Sequence, residues 1–163
     1  MAGRAGLGHL DSEFVALDAG VREAFGLGHA VATRGAAEDN LGGSWSVHEY
    51  RGSNGLAASV VAAPSSQPWI RRADTADAYR FLAEELAGLR RGQKILAVTT
   101  PIYVPAQHAA AVATLGLPYG VVVDTVGTDP AVGDPRWQQD FSPTRYLMEF
   151  RSAIRRMRAL SRA

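Results

Sequence analysis

The stretch from Gln93 to Gly127, QKILAVTTPIYVPAQHAAAVATLGLPYGVVVDTVG, constrains this chain more than any other. Lys94 to Thr99 is a continuous apolar run with no alternation, the pattern of a strand covered on both faces. It breaks at Thr99-Thr100-Pro101, and a run of small residues follows that suits a helix. Leu115-Gly116 closes that helix, and Gly120 to Val126 reads as a second buried strand. Strand, helix and strand in that order make a βαβ crossover, the unit of parallel sheets. Ligands of open α/β sheets bind beyond the carboxyl ends of the strands, so the loop after Thr99 is the first place to seek a site.

The flanking segments extend the pattern. Asp11 or Ser12 caps a helix with Phe14, Leu17, Val21 and Phe25 on one stripe, and Gly26 stops it. Residues 33–44 read as loop. Trp45 to Arg51 alternates and meets the turn Gly52-Ser53-Asn54-Gly55, which predicts a hairpin arm at a sheet edge. Leu56 to Ala63 is apolar throughout and reads as another central strand, ending at Pro64-Ser65-Ser66-Gln67-Pro68. Asp74 and Thr75 open a helix whose stripe is Tyr79, Leu82, Leu86 and Leu89. After Gly127 a surface loop is predicted as far as Phe141. Ser142-Pro143 then starts a last helix, with Leu147, Phe150, Ile154 and Met157 as the core-facing stripe and arginines elsewhere.

These elements predict a Rossmann-like, three-layer α/β fold. Its parallel sheet has at least three central strands, flanking helices and an edge hairpin arm. Residues 1–10 are expected to be a flexible tail and 11–163 a single domain. A sheet this small leaves apolar faces to cover, which predicts a homo-oligomer.

Composition narrows the function classes. The 163 residues carry a net charge of +1, so no global field favours nucleic acid or an anionic membrane. The absence of cysteine excludes disulfides, thiolate metal sites and cysteine nucleophiles. His9, His29, His48 and His108 lack metal-ligand spacing, so no metal is expected. No apolar run approaches the ~20 residues that span a bilayer. The expectation is a cytoplasmic protein with a small-molecule ligand.

The candidate site follows from the strand ends. Ser65 and Ser66 lie in one loop, Thr99, Thr100 and Tyr103 in the other. Arg71 and Arg72 precede the helix that opens at Thr75, and guanidinium groups beside a helix start suit a phosphate or carboxylate. Asp77 and His108 are the candidates for moving protons, with Gln107 beside the histidine. Ser65 and Ser66 lack the glycines of a nucleophile elbow. The expected site is the cleft between these two loops.

Val98-Thr99-Thr100-Pro101-Ile102-Tyr103, then Gln107-His108-Ala109 and Leu115-Gly116, resembles the second half of the YdcF/SanA/ElyC-like family, a bacterial group of Rossmann-like α/β domains. Thr75-Ala76-Asp77-Ala78 stands where that family has Thr-x-Glu-Asn, and Glu13 stands where it has a glutamate opening an earlier helix. The likeness covers about residues 11 to 127. The family's His is replaced here by Val104, its Arg by Gln107 and its Asn by Ala78, and its first strands and glycine-rich turn do not precede residue 11. The resemblance implies a ligand pocket at the sheet's carboxyl edge, with S-adenosylmethionine as one implied cofactor. Two functions are therefore expected as alternatives. One is a transferase-type enzyme on a nucleotide-like, phosphorylated or carboxylated substrate. The other is a non-catalytic assembly or regulatory protein, shortened relative to the family and working as an oligomer or with a partner.

Overall fold

The computed structural model describes residues 7–36, 44–129 and 142–162. The first helix, α1 (Leu7–Phe25), is followed by three antiparallel strands, β1 (Ala32–Ala36), β2 (Trp45–Arg51) and β3 (Ala57–Ala62). The second helix, α2 (Thr75–Phe81), runs on into a π-helical turn, Leu82–Leu86. Strand β4 (Lys94–Thr99) leads through a 3-10 turn, Pro101–Tyr103, to α3 (Val104–Ala111). A π turn (Val112–Gly116) and the short α4 (Leu117–Tyr119) complete the crossover to β5 (Val122–Gly127), and α5 (Pro143–Leu160) ends the order. The fold is mixed α/β with two sheets, one of three antiparallel strands and one of two parallel strands. The chain divides into two compact units, Met1–Ala78 and Tyr79–Ala163. The predicted tail as far as residue 6, part of the 33–44 loop, and most of the loop predicted between Gly127 and Phe141 lie outside the described residues.

In the first unit, local turns decide the sheet. The Gly52 N–H donates to Leu56 O at 2.7 Å, the Asn54 carboxamide accepts from the Leu56 N–H at 3.0 Å, and Gly55 takes a φ of +81°. That turn sends β3 straight back along β2, with Ser46 opposite Ala62 and Arg51 opposite Ala57. The sequence predicts Leu56 to Ala63 as a parallel central strand. It lies antiparallel instead, because a four-residue turn closes a hairpin while a parallel connection needs a dozen residues or more. Residues 33–36, read as loop, form most of β1, which pairs with β2 from Ala32–Glu49 to Ala36–Trp45. α1 ends at Gly26, whose φ of +58° provides the predicted stop. Its inner side carries Phe14 and Val21 against Leu27, Tyr50 and Val60, whereas Leu17 and Phe25 are exposed.

The second unit contains the predicted crossover. β4 and β5 are parallel neighbours, in register from Lys94–Val122 to Thr99–Gly127. Ile95 and Val123 turn inward, toward a core of Ala83, Ala111, Leu115 and Val121. Ser142 caps α5 as predicted, its hydroxyl accepting from the Arg145 N–H at 3.3 Å with Pro143 at the first position. Two expectations fail here on packing. The uninterrupted apolar run of β4 predicts cover on both faces, yet burial alternates, and Lys94, Leu96 and Val98 are exposed. The stripe Leu147, Phe150, Ile154, Met157 predicts the core side of α5, yet all four are exposed and Ala153 is buried. α5 packs on α3, whose Ala106, Ala109, Ala110 and Ala111 are all buried. The alanine surface of α3 lets the helix axes approach closely, which favours Ala153 over a larger side chain at the contact.

Candidate functional site

The residues proposed from sequence fall into two groups, one in each unit. In the first unit, β3 ends at Ala62, and the loop after it brings Ser65 and Ser66 to the start of α2. The Ser65 hydroxyl is buried and accepts from the Gln67 N–H at 3.0 Å. Asp74 caps α2, its carboxylate accepting from the Ala76 N–H at 2.9 Å and the Asp77 N–H at 3.1 Å. Asp77 returns the favour: its Oδ2 accepts from the Asp74 N–H at 3.1 Å, a reciprocal capping box built from two aspartates.

Arg71 completes this group. Its Nη1 donates to Asp77 Oδ2 at 2.5 Å and to Arg72 O at 2.9 Å, and its Nη2 donates to the Ser66 hydroxyl at 3.0 Å. The Asp77 side chain is 2% exposed. Burial works to raise the pKa of that carboxyl. Hydrogen bonds from Arg71, Ser66 and the Asp74 backbone outweigh it and hold the group well below the usual carboxylate range. The structure thus joins Ser66, Arg71 and Asp77, with Thr75 at the first position of α2 and Arg72 exposed just before it. The anion seated at this helix start is the chain's own. The Asp74, Ala76 and Asp77 N–H groups are occupied by the two aspartates, and the Arg71 guanidinium is committed to Asp77 and Ser66.

In the second unit, Thr99 ends β4 and Thr100 precedes the 3-10 turn, its carbonyl accepting from the Tyr103 N–H at 2.9 Å. The Thr99 carbonyl accepts from the Thr128 N–H at 2.8 Å, which draws the end of β5 against the loop. Gly127 makes this approach possible. A Cβ there would lie 2.8 Å from Pro101 Cα, so only glycine lets the two strand ends close. Gln107 is half-buried on α3. His108, also half-buried, places Nδ1 3.1 Å from the Thr125 hydroxyl of β5. Thr99, Thr100 and Tyr103 therefore share one turn, while His108 sits a helical turn further on and is held against the sheet.

A third cluster escaped the sequence reading. Asp18 on α1 accepts from the Tyr50 hydroxyl in a short hydrogen bond, and the same oxygen lies 3.0 Å from His48 Nδ1. The Phe14 ring meets the His48 ring edge-on at 4.8 Å. Burial, then the hydrogen bond to Asp18, pushes the Tyr50 phenol up to about 12. The contacts with Asp18 and Phe14 hold the imidazole in one orientation, and the three polar groups tie α1 to β2. The available signal was the spacing of His48 and Tyr50, which puts both on one side of β2, together with Asp18 one helical turn from Phe14 and Val21. Among the described residues no group of three or more His, Cys, Asp or Glu is placed to hold a metal ion, and no helix is long and apolar enough to cross a membrane.

The chain is similar to an uncharacterised protein of Mycobacterium bovis and to two of Mycobacterium tuberculosis, from strains CDC 1551 and H37Rv. Each is 35% identical over 155 residues, which are 91% of this chain and 43% of the relative. The chain thus spans less than half the length of the curated relatives it matches. No family model and no solved structure matches it.

Proposed function

We propose that the chain is a non-catalytic assembly module that works with a second copy of itself, through the outer face of the β4–β5 pair. The observation that carries this reading is the exposure of Leu96, Val98, Val122 and Val126, which is 60%, 58%, 57% and 40%. Parallel strands are ordinarily covered on both faces, and here one face has no cover among the described residues of its unit. A Rossmann-like sheet carries a layer on each face, and on this reading the second copy is the outer layer.

The face is complementary to itself. It also presents Lys94 and Asp124, both exposed, at opposite ends of a diagonal across the register pairs. A two-fold axis that brings Lys94 of one copy to Asp124 of the other does the same for the reverse pair. Eight aliphatic side chains from two copies, each already half covered, contribute about 1 kcal/mol apiece. Set against an association cost of about 4–15 kcal/mol, they support a dimer of modest affinity rather than an obligate one. At the low end of that cost about 4 kcal/mol remains, so light scattering and sedimentation equilibrium are expected to show a weak dimer that dissociates around 1 mM. Leu96→Glu with Val98→Glu should weaken it by about a hundredfold with the melting temperature of the monomer unchanged. A wild-type chain that stays monomeric at every concentration would reject the reading.

The His108–Thr125 contact favours a second reading, a small-molecule site at the carboxyl edge of β4 and β5. The ligand would be nucleotide-like, phosphorylated or carboxylated, and the chemistry a group transfer. Thr100, Tyr103 and Gln107 would shape that site. His108 would move the proton, because a carboxyl that Arg71 keeps ionised leaves Asp77 nothing to donate at neutral pH. Thermal shift against nucleotides, S-adenosylmethionine and sugar phosphates tests it. A binder adds about 2.7 kcal/mol at a hundred times its dissociation constant, and a flat response across the panel would sink the reading.

A further inference from the structure

α5 carries an apolar surface that no element among the described residues of its unit covers, and its spacing and charge describe what would. Leu147, Phe150, Ile154 and Met157 follow one another at intervals of three, four and three residues, the a and d positions of a heptad seam. They are 73%, 72%, 39% and 48% exposed. The flank of the helix that holds Ala153, three residues after Phe150 and four before Met157, is the buried one, and α5 packs on α3. Beside the seam, on one flank, stand Arg151, Arg155 and Arg158, all exposed. Glu149 is the one acidic residue in the helix, and it lies half-buried on the side away from the seam.

We propose that α5 is a docking helix for an amphipathic helix of another protein, whose apolar stripe fits the Leu147–Met157 seam and whose carboxylates pair with Arg151, Arg155 and Arg158. The charge pattern selects this occupant. A second copy of α5 running antiparallel would set Arg151 of one beside Arg158 of the other. Running parallel, it would set the arginine flank against Tyr146, Ala153 and Leu160. The first arrangement opposes like charges and the second offers the arginines no carboxylate, so a second copy is the poorer occupant. Tyr146 and Met148 are exposed too and widen the apolar surface in the first turns, but from Phe150 onward it narrows to a seam at heptad spacing, which fits a helix better than a bilayer. The proposal uses neither β4 nor β5 and is independent of the sheet-face dimer.

Fluorescence anisotropy with two labelled peptides of about three heptads tests it, both with leucine at a and d, one flanked by glutamates and the other by lysines. The glutamate peptide is expected to bind at least about tenfold more tightly than the lysine peptide, and to weaken as salt is raised. Leu147→Asp with Phe150→Asp should abolish binding. Arg151→Glu with Arg158→Glu should reverse the preference toward the lysine peptide. All four residues are exposed, so circular dichroism should show these variants folded. In the Leu96→Glu, Val98→Glu background the binding should persist, which separates this surface from the dimer face. Equal binding of the two peptides, or no reversal by the charge swap, would overturn the proposal. So would stronger association with vesicles of equal parts phosphatidylglycerol and phosphatidylcholine than with either peptide.

Discussion

Leu115→Ala should destabilise the second unit by about 3 kcal/mol, within the range for a buried leucine truncated to alanine. Leu115 is 0% exposed and sits in the π turn at the end of the crossover, among Ala83, Ala111 and Val121. Two of those three neighbours are alanines, with no side chain long enough to swing into the space left behind. The partly buried Tyr79, Leu89, Ile95, Tyr119 and Val123 packed around the cluster can close part of that space, which sets the loss near the lower end of the range rather than the upper. Leu117, two residues later in the same Leu-Gly-Leu-Pro run, is 58% exposed, and Leu117→Ala should change stability by no more than about 0.5 kcal/mol. Urea unfolding reads both: the midpoint falls for Leu115→Ala with the slope unchanged, and stays for Leu117→Ala. Set against a total of about 5–15 kcal/mol, the first loss is a large share. Its functional interest lies in α3, which Leu115 helps seat on β5 and which carries His108. Equal effects from the two leucines would contradict this account of the core.

That pair also marks where sequence reading stops. The crossover from Gln93 to Gly127 was legible because its signals are local: an apolar run, a Thr-Thr-Pro break, small residues, and glycines at the turns. Gly26, the Gly52–Gly55 turn and the Ser142-Pro143 cap were legible for the same reason. The direction of Ala57–Ala62 was not, since an apolar run looks alike in parallel and antiparallel sheets and only the turn before it decides. The facing of α5 was misread because hydrophobicity points Leu147 and Phe150 inward, while the alanine surface of α3 admits only Ala153. Residues 33–36 form an edge strand through backbone pairing with β2, which their polar side chains do not announce. At the site, Asp74 and Asp77 were legible as helix-start residues. That Arg71 would spend its guanidinium on Asp77 depends on the path of the intervening chain, and so it lay beyond any spacing rule. Asp18 was hidden by the choice of Leu17 for the helix stripe, one position away.

The Arg71–Asp77 pair yields the sharpest expectation about the first unit. Asp77→Ala should lose about 2 kcal/mol at neutral pH, the scale of hydrogen bonds to a charged group that leave a partner unsatisfied. The sign of its pH dependence follows from the depressed pKa. An unfolded aspartate titrates near 3.9, whereas the folded Asp77 holds its charge to well below that. The stabilisation is therefore fully present above about pH 4 and is lost as pH falls through the lower, folded value. Urea unfolding of wild type and Asp77→Ala should give a constant difference between about pH 5 and pH 7 and a shrinking one below about pH 4. Asp77→Asn should resemble the alanine variant in losing the acid dependence, because an amide cannot answer the guanidinium with charge. The variants also bear on the ligand question. With the inner carboxylate gone, the Arg71 guanidinium and the Asp74 N–H lose their shared partner, and added phosphate should raise the melting point of Asp77→Ala but not of the wild type. Phosphate stabilising both alike would mean that Asp77 does not fill an anion seat, and the arginine would return as a candidate for gripping a substrate.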